Sequence, residues 1–232
     1  MSIGALISFH TSGRANSYSN SYFQKCCESL VRYESLQEDL KKLQCTDIQS
    51  NTIQNEIKMA GISAIVFGGM SLEATLYDLS ACLFEEPFAE HIDKLDPIGK
   101  FFVLNRIING TNPDVGSVTY QSIQRLASAR NKLVHHKSFS FVELDFDSIM
   151  RRALKEHTKQ VDSVPDSFRA LVLLSLNFDG NIFEELRILP SFRKKENWKD
   201  AIPISLHSEV NRCIEISNNE SSRATVKTES DL

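Results

Sequence analysis

Glycine, proline and cysteine are all scarce in this chain of 232 residues, which contains 9 Gly, 6 Pro and 5 Cys. The cysteines form no C-x-x-C pair and have no histidine at ligand spacing, so the sequence predicts neither a disulfide framework nor a zinc site. We expect reduced thiols, no metal and no other cofactor. A glycine-rich phosphate loop and a nucleotidyltransferase motif are also missing from the sequence.

An excess of basic residues and a long apolar run are lacking as well. Lysine and arginine number 26 against 30 aspartates and glutamates, so the net charge of -4 excludes nucleic-acid binding through overall basicity but not through a local cluster. The N-terminus lacks a basic leader, and the longest apolar run, residues 62–67, is far shorter than the roughly 20 residues that span a bilayer. The sequence therefore predicts a cytoplasmic protein without a membrane partner.

Helical periodicity is the main feature that the sequence does have. Apolar residues recur at helical spacings from Ser50 to Pro87 and predict one long helix. Gly68 and Gly69 lie inside it. Two adjacent glycines cost a helix about 1–2 kcal/mol relative to alanine, so we expect a kink or a very close neighbouring backbone at this point.

The remaining segments predict further helices and no long strand. These helices run from Tyr22 through Leu43, from Pro97 to Asn109-Gly110, after Ser117 to Val134, from Asp145 or Asp147 to Val161, and from Pro165 to Arg187 with a break near Asp179-Gly180. The predicted fold is all-α, a helical bundle of five or more helices. We expect an N-terminal extension over 1–20, the helical domain over 21–189, a C-terminal segment over 190–216 and a disordered, aromatic-free tail over 217–232.

One short segment combines a cation, an amide and imidazoles: Arg130-Asn131-Lys132-Leu133-Val134-His135-His136. Metal-free cleavage of RNA needs proton transfer at the 2′- and 5′-oxygens and a fixed positive charge on the phosphate. The imidazole of histidine titrates near neutral pH, and the guanidinium group of arginine offers a planar fork to phosphate oxygens. Asn131 and His135 are four residues apart on one helical face, so the amide is expected to orient the ring.

Arg130 and His135 do not share a face of the helix. They are five residues apart, which places them about 140° from each other on an ideal helix of roughly 3.6 residues per turn. A single protomer is therefore an awkward site. Two copies of the helix packed antiparallel about a two-fold axis would let each Arg130 meet the His135 of the other copy.

With these residues the sequence resembles the HEPN domains (higher eukaryote and prokaryote nucleotide-binding). Their motif is an Arg and a His separated by four to six residues, the first of them polar, and Arg130-Asn131-x-x-x-His135 matches it. HEPN domains are helical bundles in which a long earlier helix carries a Glu, as in Ser71-Leu72-Glu73-Ala74 here. The resemblance covers roughly residues 60–187.

The resemblance implies a metal-independent endoribonuclease that acts on RNA as a homodimer, with the paired motifs at the interface, in the manner of a toxin or an antiviral defence effector. It assigns catalysis to Arg130 and His135, with Asn131 beside them, and a supporting role to Glu73 and His136. A partner such as an antitoxin or a defence-system protein would be a separate chain.

Structural interpretations stay open beside the catalytic one. Arg130 lines up with apolar residues of its helix, so its guanidinium is also expected, in this view, to form a structural bridge with Glu73 or Asp78. The protein would then be a non-catalytic HEPN-like module that binds a partner protein or nucleotide, or a scaffold without a ligand site. His136 suits a helix end, and the leucines between 171 and 176 suit a core or a dimer interface.

Overall fold

A computed structural model describes residues 17–42, 47–135, 147–148, 151, 161–178, 183, 186 and 188–230. These residues contain eight α-helices and no strand. The helices are α1 (Ser19–Lys42), α2 (Asp47–Phe84), α3 (Glu86–Ile92), α4 (Pro97–Asn109), α5 (Val118–Val134), α6 (Asp166–Asn177), α7 (Lys195–Trp198) and α8 (His207–Ser230), with a 3₁₀ turn at Ile204–Leu206. The prediction of an all-α bundle is confirmed.

The helix α2 is the centre of the bundle and packs against α1, α3, α4, α5 and α6. The helix α1 runs antiparallel to it, because Ser71 Oγ donates to the Ser19 carbonyl at 2.9 Å while Arg32 meets Glu56 at 3.1 Å near the other end. The segment Ser50–Phe84 is long and apolar enough to cross a membrane, with a mean hydropathy of 1.4 over an 18-residue window. Because 56% of that window is buried inside the fold, the core of the bundle accounts for its apolar character.

The helix α6 fills the interior, and every residue from Asp166 to Leu176 except Arg169 is buried. Its neighbours are α1, α2, α5 and α8. The leucines of this helix therefore form core, which decides between the two roles that the sequence allowed. The aromatic side chains buried in the core of the described residues are Phe23, Tyr33, Phe101, Phe168, Phe178, Phe183, Phe192 and Trp198.

Local capping signals place the ends of α4 and α5 as predicted. Asp96 caps α4 by accepting from the Gly99 amide at 2.6 Å, and Gly110, at φ 73°, ends it in the left-handed conformation that glycine tolerates best. Ser117 caps α5 by accepting from the Tyr120 amide at 3.1 Å. The predicted helix from Asp145 or Asp147 to Val161, the break near Asp179-Gly180 and Cys45 lie largely or wholly outside the described residues.

The C-terminal part of the chain packs with the helical domain, and its tail differs from the expectation of disorder. The segment 190–216 adds Phe192, Trp198, Ile202, Leu206, Val210 and Cys213 to the same core as the helical domain, so it is not separate from it. The tail predicted to be disordered from Ser217 continues α8 to Ser230 instead. Composition argues for disorder there because the segment is polar, but Glu220 holds it by a long-range contact with the first residues of α5.

Candidate functional site

The arginine of the motif lies across α2. Its side chain is 21% exposed, and Nη2 donates to Glu73 Oε2 at 3.0 Å. A Cβ atom on Gly69 would lie 2.5 Å from Arg130 Cγ and 2.7 Å from its Cβ. The absence of a side chain at Gly69 therefore lets the stem of Arg130 lie directly on the helix, with its head group one turn further along at Glu73.

The preceding glycine makes a second close contact on another side of α2. A Cβ on Gly68 would lie 2.9 Å from the carbonyl oxygen of Ser167, at the start of α6. The two adjacent glycines thus mark a very close neighbouring backbone and a close side-chain stem, within a helix that continues to Phe84. Of the two structural reasons expected from the sequence, close approach is the one observed.

Asn131 is joined to Arg130 rather than to the ring of His135. Its Oδ1 accepts from Arg130 Nη1 at 3.0 Å, so the amide orients the guanidinium group. Only its backbone carbonyl reaches His135, by accepting the amide N–H at 3.0 Å. The expectation that the Asn131 side chain orients the imidazole is therefore corrected, because the neighbouring arginine occupies the amide oxygen.

The guanidinium of Arg130 is held from two sides and keeps unused donors. A guanidinium has five N–H groups, and the bonds to Glu73 and Asn131 use two of them. Nε is buried and has no hydrogen-bond partner among the described residues. The group is therefore fixed in direction, and besides the buried Nε it has two Nη–H groups that these bonds do not use. A guanidinium fixed in direction with unused Nη–H groups is suited to anion recognition.

His135 lies at the exposed end of the same helix. It is the C-cap residue of α5, with φ −108° and ψ 29°, and its side chain is exposed. No hydrogen bond of its ring to another described residue is found, and it is not paired with Arg130. Within one protomer the two residues thus face different surroundings, as their spacing predicts. His136 lies outside the described residues.

Glu73 is the observed partner of Arg130 among the two carboxylates considered. It is 32% exposed, so the ion pair is partly open to solvent on both sides. Asp78 accepts a hydrogen bond from Ser17 Oγ at 2.5 Å and lies buried further along α2. The structural interpretation of Arg130 thus has a contact that supports it, although not a fully buried one.

A charged network that sequence reasoning missed connects α5, α6 and α8. Arg125 binds both oxygens of the buried Asp166 at 2.6 and 3.1 Å, and Arg169 joins Asp166 at 3.3 Å to Glu209 at 2.6 Å. Burial lowers the pKa of Arg169, but the hydrogen bond and charge of Glu209 outweigh it, so this pKa is raised. The network holds in place the helix that carries Arg130. Only Asp166 and Arg169 are close in sequence, three residues apart on α6, and no short spacing links them to Arg125 or Glu209.

Other features of the described residues lie away from the motif. One groove of about 460 Å³ is lined by α1 and Pro203, and a second of about 600 Å³ lies between α1 and the first half of α2. No residue of α5 lines either of them. No group of three or more His, Cys, Asp or Glu side chains that could hold a metal ion is present in the described ranges. Arg130 and its neighbours are therefore the candidate site that these residues offer.

In comparisons with known proteins, no family model, no curated protein and no solved structure matches the chain. The candidate site is therefore defined by the geometry of its own residues. These are Gly69 and Glu73 on α2, and Arg130, Asn131 and His135 on α5.

Proposed function

We propose that the protein is a HEPN-like endoribonuclease that cleaves RNA without a metal ion, at a site composed of Arg130 from one copy and His135 from a second. One observation carries the proposal. Arg130 is partly buried at the surface of the bundle, where Glu73 and Asn131 hold its guanidinium group. His135 is exposed at the end of the same helix and has no ring hydrogen bond to another described residue. A second copy of the chain is the simplest way to bring an Arg130 and a His135 close together.

The chemistry of such a site needs only these side chains and the RNA. The neutral imidazole accepts the proton of the 2′-hydroxyl as the 2′-oxygen bonds to phosphorus, and the bond to the 5′-oxygen then breaks. The imidazolium returns the proton to the leaving 5′-oxygen, so the products end in a 2′,3′-cyclic phosphate and a 5′-hydroxyl. The fixed guanidinium stabilises the additional negative charge on the phosphorane.

A toxin or antiviral defence effector in the cytoplasm is the setting we infer for this activity. An enzyme that cleaves RNA without a cofactor would need restraint, and an antitoxin or defence-system partner on a separate chain would supply it. The net charge of -4 limits general attraction of RNA, so substrate contact is assigned to the basic residues of α5.

The Arg130–Glu73 ion pair favours a second candidate function. A guanidinium that bridges α2 and α5 at 3.0 Å also fits a non-catalytic helical module that binds a partner protein or nucleotide. In that case Arg130 stabilises the fold and His135 has no catalytic part.

Incubation of the purified protein with mixed RNA in the presence of a chelator tests the proposal, with analysis of the product ends. We expect cleavage by the wild type, and a loss of about 10²-fold or more for both Arg130→Ala and His135→Ala. Lys58→Ala and His91→Ala are matched controls, since both are exposed residues outside α5 and outside the proposed site.

Thermal unfolding of the same variants separates the two candidate functions. Because the Arg130–Glu73 pair is partly exposed, its loss is expected to cost about 1–3 kcal/mol, between the values for surface and buried pairs. Folded variants without activity support catalysis. A destabilised Arg130→Ala together with no RNA cleavage by the wild type would support the structural module instead.

A further inference from the structure

The first element of this inference is a gap in α2 that matches a side chain of α5. A methyl group on Gly69 would come within 2.5 Å of Arg130 Cγ and 2.7 Å of Arg130 Cβ, distances that real Cβ contacts do not show. Both atoms belong to the first part of the side chain. The stem of Arg130 therefore cannot keep this path if any other residue stands at position 69.

The second element is the distance that the side chain covers. Gly69 and Glu73 are four residues apart on α2, which is about 6 Å along a helix that rises 1.5 Å per residue. Arg130 spans this interval, with its stem on Gly69 and Nη2 on Glu73 at 3.0 Å. The gap and the anchor thus lie one turn apart on the same face of α2, and together they fix the direction of the guanidinium.

The third element is the cost of glycine at this place. Glycine is a poor helix former, and Gly69 lies inside a helix of 38 residues where alanine would be preferred. The neighbouring Gly68 is explained by the carbonyl of Ser167, but the three atoms nearest to a Cβ on Gly69 all belong to the side chain of Arg130. Among the described residues, the close contact with Arg130 is thus the one that accounts for a glycine at position 69.

We infer that Gly69 is a positioning residue for Arg130. Its missing side chain sets the path of the arginine stem so that the guanidinium is held by Glu73 and Asn131 and presents its two remaining Nη–H groups to an RNA phosphate. The contact with an RNA phosphate rests on the proposed function. The position of the guanidinium group rests on the geometry alone.

Nitrogen NMR of the arginine side chains tests the position without any activity. Two bound Nη atoms hinder rotation of the guanidinium, so Arg130 in the full chain should give separate Nη signals, assigned by their loss in Arg130→Lys. In Gly69→Ala we expect these signals to merge as in an exposed arginine. Gly61→Ala is the matched control, since its Cβ would meet Val164 and Tyr33 and not Arg130.

RNA cleavage kinetics test the same variant at the proposed site. Gly69→Ala should lower kcat by about 10-fold or more and leave KM within about twofold, because a displaced guanidinium loses its hold on the transition state more than on the bound RNA. Gly61→Ala should keep the wild-type kcat. Unchanged Nη signals together with an unchanged kcat in Gly69→Ala would overturn the inference.

A folding defect is covered by the double variant Gly69→Ala/Arg130→Gly, which removes both the 2.5 Å contact at Cγ and the 2.7 Å contact at Cβ. If Gly69→Ala fails to fold and the double variant folds, the conflict is with Arg130, as inferred. If both fail, the space at Gly69 serves the packing of the helices and the inference is wrong. Absence of cleavage by the wild type would remove the proposed function, while the NMR signals would still decide the positioning role.

Discussion

The side chain of Arg130 contacts three residues on two helices. Its stem lies on Gly69, one Nη atom binds Glu73 and the other binds Asn131. A guanidinium held in this way has lost rotational freedom before any ligand arrives, so the entropy of ordering it need not be lost during binding. The same contacts that stabilise the helix pair therefore prepare the group for an anion.

His135 differs from Arg130 in every one of these respects. It stands at the last turn of α5, is exposed, and has no ring hydrogen bond to a described residue. The contrast follows from the five-residue spacing, which turns the two side chains to different sides of the helix. Contacts within one protomer fix the position of the Arg130 side chain, whereas a bound partner would have to fix that of His135.

Buried thiols are a further residue-scale feature with a measurable consequence. Burial raises the pKa of Cys26 and of Cys213 to about 12, and it also raises that of Cys27. An unfolded thiol ionises near pH 8.5 to 9, so the folded state holds its proton to higher pH than the unfolded state does. These thiols therefore contribute stability that is present below about pH 9 and is lost as the pH rises toward 12.

We expect the free energy of unfolding in urea to fall by about 1 kcal/mol per thiol between pH 9 and 10, where the unfolded thiols are mostly ionised. Cys26→Ala/Cys213→Ala is the matched control, because it lacks two of these groups and should lose less stability over the same interval. The same alkaline loss in both proteins would show that these thiols are not the cause.

Among the helices, α5 is held at both ends by contacts that lie far apart in sequence. Glu220 of α8 accepts from the Val118 amide at 2.6 Å, from the Thr119 amide at 3.2 Å and from Thr119 Oγ1 at 2.7 Å. These amides are unsatisfied within the helix itself, and a carboxylate at a helix N-terminus is also favoured by the helix dipole. The end of α8 thereby fixes the start of the helix whose other end carries the motif.

Replacement of this carboxylate gives an element-scale prediction. Glu220→Gln should lower the free energy of unfolding by about 1 kcal/mol, since it removes the negative charge from the N-terminus of α5. Urea unfolding measures the change, and Glu215→Gln, at an exposed position of the same helix, is the control. Equal midpoints for the two variants would mean that the Glu220 contact contributes nothing to stability.

The elements differ in how far sequence could predict them. Asp96, Gly110 and Ser117 act on amides or backbone within their own turn, so the limits of α4 and the start of α5 follow from local chemistry. The helical state of the segment after Ser217 depends on a carboxylate about a hundred residues from its partners, and no local pattern encodes that contact. Composition therefore gives the wrong result there.

In the candidate site, too, sequence predicts the features that depend on local spacing and misses those that depend on side-chain geometry and packing. The spacing of Arg130 and His135 predicts that they face different sides of the helix. Glu73 is one of the two partners that the sequence predicts for Arg130, and it is the one observed. The link between Asn131 and Arg130 and the network of Arg125, Asp166, Arg169 and Glu209 depend on side-chain geometry and on helix packing. The contacts of Arg125 with Asp166 and of Arg169 with Glu209 form only when different helices pack together, and the contact of Arg130 with its neighbour Asn131 depends on the side-chain conformation, so spacing in the sequence did not predict them.

At the scale of the whole molecule, the described helices share one hydrophobic core from Phe23 in α1 to Cys213 in α8. The candidate site lies where α5 packs on α2 at the surface of this core, so the bundle supplies a base for Arg130. His135, at the end of α5, is exposed among the described residues. The proposed composite site is therefore a property of two bundles rather than of one fold.

Mixing two inactive variants measures this central claim most directly. Arg130→Ala and His135→Ala chains, unfolded and refolded together in equal amounts, should form mixed dimers in which one site keeps an intact Arg130 from one copy and an intact His135 from the other. Because about half of the dimers are mixed and each has one of two sites, we expect about a quarter of the wild-type RNA cleavage in chelator, where each variant alone has almost none. Activity of the mixture no higher than that of the separate variants, with dimers confirmed by light scattering, would contradict a site shared between two copies.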